Sequence, residues 1–141
     1  MSGDAPRLVI SPDLVERMLD LAWSVYPAEA VGLLGGIANE VKSVWPLRNL
    51  AANLTFLADP YEQYIAMTEI MATGEVVLAS FHSHPEAPPL LSEVDGQFVF
   101  EVAPIAVVIG LESVSHMARL AAFSQIGGSI EEVAIIQKLR N

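Results

Sequence analysis

The chain reads as a single α/β domain built on one mixed sheet flanked by about three helices. Three observations carry that expectation. Two continuous apolar runs, 76–82 and 105–111, have the length and composition of strands buried on both faces. Leu14, Val15, Met18, Leu21, Ala22 and Val25 recur at helical spacing. Strand-like and helix-like segments also intermix along the chain rather than separating into blocks. With 141 residues and no internal repeat, one domain spanning 1–141 with a core at about 8–137 is expected. A chain of this size buries roughly two-thirds of its unfolded surface without needing staples.

The elements follow in order. Residues 7–10 form a short strand. Ser11-Pro12-Asp13 then opens a helix, because Ser11 can cap and Pro12 sits where a missing N–H costs nothing. Pro27 stops that helix near Tyr26. The apolar run 30–37, with Gly32 and Gly35-Gly36, is a buried strand leading into a turn, and 40–47 is its hairpin partner. Residues 48–56 are irregular or extended. Asp59-Pro60-Tyr61-Glu62 has the character of a capping box, and the helix it starts runs to about Thr73, with Gly74 as its stop. The apolar strand 76–82 follows, and then a proline-rich loop, 85–91. A third helix is expected from near Ser92 to about Glu101, then the strand 105–111. Residues 117–124 and 130–137 read as a hairpin around Gly127-Gly128.

Composition narrows the chemistry. The chain has no cysteine, which excludes disulfides, thiolate zinc sites, iron–sulfur clusters and cysteine nucleophiles. Any metal must be held by nitrogen and oxygen. Seven basic residues against seventeen acidic ones give a net charge of −10, so nucleic acid and anionic membrane are not expected partners. The acidity itself fits a basic partner, solubility or a salt-rich setting. No apolar run approaches the ~18 residues needed to cross a bilayer, and residues 1–7 lack a secretory pattern. A cytoplasmic location is expected.

The densest chemistry lies in Phe81-His82-Ser83-His84-Pro85. Successive strand residues alternate faces, so His82 and His84 share one face and Ser83 points to the other. Two imidazoles at that spacing can grip one ion, and Asp95 can supply a third ligand from the next element. Three protein ligands and an open position characterise a catalytic zinc, whereas structural zinc sites close with four. Asp95 has a second reading, because Ser92-x-x-Asp95 ahead of Phe98-Val99-Phe100 is also a helix-capping pattern. Glu29 is either the last exposed acid before a buried strand or the base that a hydrolytic zinc site requires.

Taken together, Glu29, His82-Ser83-His84-Pro85 and, after seven intervening residues, Ser92-x-x-Asp95 resemble the JAMM motif of MPN-type metallopeptidases. The segment 26–36 is similar to the surroundings of the catalytic glutamate in short bacterial members. Asn53 with Thr55-Phe56, then a helix, then the His-x-His strand, follows their order. The resemblance covers roughly residues 8–137. One departure is Leu91, where many members carry proline before the serine; no catalytic group is lost by it.

The resemblance implies an MPN/JAMM-type mixed sheet with a cytidine-deaminase-like layout and a zinc metallopeptidase. His82, His84 and Asp95 would hold one Zn²⁺, with water in the open position. Glu29 would act as general base, and Ser92 would hydrogen-bond the developing oxyanion. The implied substrate is an amide bond at the C-terminal tail of a ubiquitin-like or sulfur-carrier protein. Two alternatives stand beside it: a catalytically silent MPN interaction module and a generic small-peptide zinc hydrolase. Nucleoside deamination on a related layout normally needs two cysteine ligands, which this chain lacks. His116 is expected to be a bystander, and Trp23 and Trp45 to pack the core or its rim.

Overall fold

A computed structural model describes residues 7–51, 57–91, 99–126 and 128–138. Among these residues seven strands, β1 (Arg7–Ile10), β2 (Val31–Ile37), β3 (Glu40–Leu47), β4 (Val76–Pro85), β5 (Ile105–Glu112), β6 (Met117–Ile126) and β7 (Ser129–Gln137), pair in the order β1-β3-β2-β4-β5-β6-β7. The sheet is mixed, as expected, with β4 parallel to β5 and the β2–β3, β2–β4, β5–β6 and β6–β7 pairs antiparallel. The sequence did not anticipate its closure. Short β1 runs parallel to β7 over four residues and touches β3 at Val9 opposite Glu40, so the sheet meets itself.

Among the described residues there are two α-helices, α1 (Pro12–Val25) and α2 (Pro60–Ala72), rather than three. The end of the expected third helix is a single 3₁₀ turn, Val99–Glu101. Pro104 lies just beyond that turn, and its ring disfavours helical backbone at Ala103. The start of the expected third helix lies outside the described residues.

The helix starts follow the sequence signals. Ser11 caps α1 by accepting a hydrogen bond from the Leu14 N–H at 3.4 Å. Leu14, Val15, Met18 and Ala22 are buried against the inner face of the sheet with Leu8, Ile10, Leu34, Phe81 and Ile109. Val25, the last residue of the expected stripe, is exposed. On the opposite face α2 buries little, since only Ala66 and Ile70 pack fully, against Leu33. Its outer side leaves Tyr61, Tyr64, Ile65 and Met71 exposed. Trp45 packs partly buried in that second cluster, and Trp23 flanks the first.

Two sequence details find their reason here. Gly32 faces the Phe81 ring so closely that an added Cβ would lie 2.3 Å from it and 2.5 Å from the Trp45 carbonyl oxygen. Pro46 is tolerated in β3 because β1 pairs with that strand only at Glu40, so the Pro46 end has no ladder partner on that side.

The α2 cap also yields a prediction. Asp59 accepts from the N–H groups of Tyr61 at 2.9 Å and Glu62 at 3.3 Å, and it meets Arg48 at 3.2 Å. The Glu62 N–H foremost, then Arg48 and the Tyr61 N–H, hold its carboxyl below the usual carboxylate range, with desolvation opposing. A depressed folded value means that the cap stabilises α2 above the unfolded pKa of about 3.9 and is lost as pH falls through the folded one. In an NMR titration the Tyr61 and Glu62 amide signals are expected to move with a midpoint below that value. A midpoint at or above it contradicts the assignment.

Candidate metal centre

Strand β4 presents its residues alternately to the two helical layers. Phe81 belongs to the α1 side, and Ser83 shares its face. Ser80, opposite Leu33 in the register, lies with His82 and His84 on the α2 side. His82 is fully buried at 1% exposure, between Val31 on β2 and Val108 on β5. His84 is half-buried nearer the strand end. The two rings are 5.0 Å apart between centroids, tilted by 57°.

Glu29 comes from the segment between α1 and β2, 53 residues before His82 in the chain. It is buried at 8% exposure. Ligand atoms of Glu29, His82 and His84 all lie within 4.8 Å of one another. Tetrahedral ligands about 2.05 Å from a zinc ion are roughly 3.4 Å apart, so the two imidazoles are near enough to share one ion with the Glu29 carboxylate next to it. The two imidazoles supply borderline nitrogen donors, and the Glu29 carboxylate stands beside them. Imidazole nitrogen suits zinc, and a neighbouring carboxylate favours a cation there. The residues therefore fit a divalent metal.

The proline loop sets the chemistry of one ligand. His84 Nδ1 lies 3.2 Å from the Pro88 carbonyl oxygen. A carbonyl can only accept, so a hydrogen bond there puts the proton on Nδ1 and leaves Nε2 as the nitrogen free to ligate. The loop reaches that position because Gly110, directly opposite His84 on β5, has no side chain. An added Cβ there would sit 2.7 Å from both the Ala87 carbonyl oxygen and the Pro89 nitrogen. The loop is tied at its start as well. Glu86 accepts from the Ser113 hydroxyl and N–H, and these bonds, the hydroxyl foremost, hold its carboxyl below the usual range.

The structure thus brings Glu29, His82 and His84 together, while Ser92 and Asp95 lie outside the described residues, as do Asn53, Thr55 and Phe56. His116 stacks on Trp23 at 4.4 Å and is not part of the cluster. Two residues that sequence reading did not select hold the Glu29 backbone. Asn49 Nδ2 donates to the Glu29 carbonyl at 3.0 Å, and Ser83 Oγ accepts from the Ala30 N–H at 2.7 Å. Asn49 carried no local signal beyond lying in an irregular stretch. The strand alternation did place Ser83 on the face opposite the histidines.

Residues 11–124 match the family described as prokaryotic homologs of the JAB domain. Among curated proteins, the chain is 39% identical over 71 residues to a probable TtuB-protein conjugate cleaving protease of Thermus thermophilus. It is 34% identical over 73 residues to a desampylase of Haloferax volcanii. Each match takes in 49% of this chain, and the chain spans about half the length of each relative, 47% and 52%. Among solved structures, the protein DSY2949 of Desulfitobacterium hafniense superposes with a TM-score of 0.78 at 30% identity, over 94% of both chains.

Proposed function

The chain belongs to the prokaryotic JAB-domain family, the MPN-type fold that carries JAMM sites, and from that premise we propose that it is a zinc metallopeptidase. Its substrate class is an amide or isopeptide bond at the C-terminal tail of a ubiquitin-like or sulfur-carrier protein. The observation that carries the reading is the convergence of Glu29, His82 and His84 within 4.8 Å from distant parts of the chain. The relative named as a TtuB-protein conjugate cleaving protease supports the substrate class.

His82 and His84 would hold the ion from one face of β4, with Asp95 as the third ligand that the motif supplies. Zinc, when bound, contributes Lewis acidity that brings the pKa of water to about 7. Glu29 takes the proton of the attacking water and returns it to the leaving nitrogen, so that water and amide become carboxylic acid and amine, which settle as carboxylate and ammonium. Ser92 donates to the oxyanion that develops on the scissile carbonyl, a contact typically worth ~10²–10³ in rate. The Pro88 carbonyl keeps His84 in the ligating tautomer throughout.

The test is incubation of zinc-loaded protein with ubiquitin-like proteins that end in Gly-Gly and carry C-terminal peptide extensions, read by mass spectrometry. Cleavage after the terminal glycine, abolished by a chelator and restored by zinc, is the expected result. A zinc-bound protein that cleaves none of them would mark a silent interaction module. Cleavage of unrelated short peptides instead would mark a general peptide hydrolase.

A further inference from the structure

We infer that Ser83 and Asn49 are positioning residues that fix Glu29 by gripping both ends of one peptide unit. The inference rests on the peptidase reading above and deepens it. The carbonyl of Glu29 and the N–H of Ala30 belong to the same planar amide. Asn49 Nδ2 donates to that carbonyl at 3.0 Å, and Ser83 Oγ accepts from that N–H at 2.7 Å. Holding that plane fixes the Cα–C bond of Glu29 in space and so anchors the backbone atom from which the carboxylate side chain departs.

A side-chain clamp serves a purpose here because Glu29 precedes β2, whose ladder begins at Val31. Both clamp residues are themselves held. Ser83 is completely buried in β4, and its own N–H donates to the Ala30 carbonyl at 3.0 Å. Asn49 Oδ1 accepts from the Ala51 and Leu57 N–H groups, each at 2.9 Å. Asn49 also bridges to Ala58, next to the Asp59 cap of α2. The base of the loop after β3 is thereby joined to the Glu29 peptide.

The strand geometry adds a coupling. His82 and His84 share the face that would hold the ion, while Ser83, between them, faces the glutamate backbone. A single three-residue stretch therefore links the two histidines to the peptide that carries the base. Misplacement of a reacting group by about 1 Å can cost ~10²-fold in rate, so loss of one jaw is expected to lower kcat by about tenfold or more.

The test compares the full zinc-loaded chain with its Ser83→Ala, Ser83→Thr and Asn49→Asp variants. Asn49→Asp retains the acceptor for Ala51 and Leu57 but loses the donor to Glu29. It stands in if Ser83→Ala does not fold. The substrate is a ubiquitin-like protein ending in Gly-Gly with a short peptide extension. Zinc content and Ala30 amide exchange by NMR are read alongside the kinetics. Ser83→Ala is expected to keep its zinc and a KM within about twofold of the parent, to lose kcat about tenfold or more, and to exchange the Ala30 amide faster. Ser83→Thr should restore both the rate and the amide protection. Unchanged kcat with a freed Ala30 amide overturns the inference, and so does a kcat loss that merely tracks zinc loss. If the parent protects the Ala30 amide yet turns over no conjugate, the peptidase reading fails first and takes the catalytic part of this inference with it.

Discussion

Glu29→Gln is expected to retain zinc at the parent stoichiometry and to lose turnover by ~10²–10⁴-fold, the range that a positioned general base contributes. The substitution is nearly isosteric. It leaves the backbone bonds from Asn49 and to Ser83 in place, so the peptide on which the side chain stands should not move. What disappears is the ability to take a proton. Steady-state kinetics on metal-quantified protein separates this from a folding or loading defect. A variant that cleaves at the parent rate would remove Glu29 from the chemistry and leave it as a buried acid beside two histidines.

His84→Ala is expected to fail earlier, at metal binding. Loss of the imidazole removes a ligand outright and also leaves the Pro88 carbonyl without its donor. Loss of an outer partner of a ligand typically costs 10–100-fold in metal affinity, so loss of the ligand should cost more than ~100-fold. After dialysis against micromolar zinc, metal analysis should find the variant largely empty and inactive, with its far-UV circular dichroism unchanged. Full zinc occupancy would show that the ion sits elsewhere. The two substitutions differ in a useful way: one separates binding from turnover, and the other abolishes both.

Much of the architecture was legible because it rests on local rules. Ser11-Pro12 and Asp59-Pro60 mark helix starts, since their side-chain oxygens and missing N–H groups suit the orphan donors of a first turn. The runs at 76–82 and 105–111 became central strands because residues that are apolar on both faces have nowhere else to go. The third helix was misread near its end, where Val99–Glu101 makes only a 3₁₀ turn ahead of Pro104. Closure of the sheet was invisible for a different reason. It depends on the four residues of the short β1 finding β7 more than a hundred positions away, and no pattern within either strand names its neighbour.

The candidate site divides along the same line. The sequence alone determined that His82 and His84 share a face and that Ser83 opposes them, because alternation at i and i+2 is a property of extended backbone wherever the strand lies. It also determined the donor types, since a chain without cysteine can offer a metal only nitrogen and oxygen. Only the tertiary structure decided that Glu29 reaches the histidines, that Asn49 and Ser83 hold its peptide, and that Gly110 admits the loop carbonyl which fixes the His84 tautomer. Those contacts arise from strand register and close approach between segments distant in the chain. They are settled by how the whole sheet packs, and a local stretch of sequence carries no record of that packing.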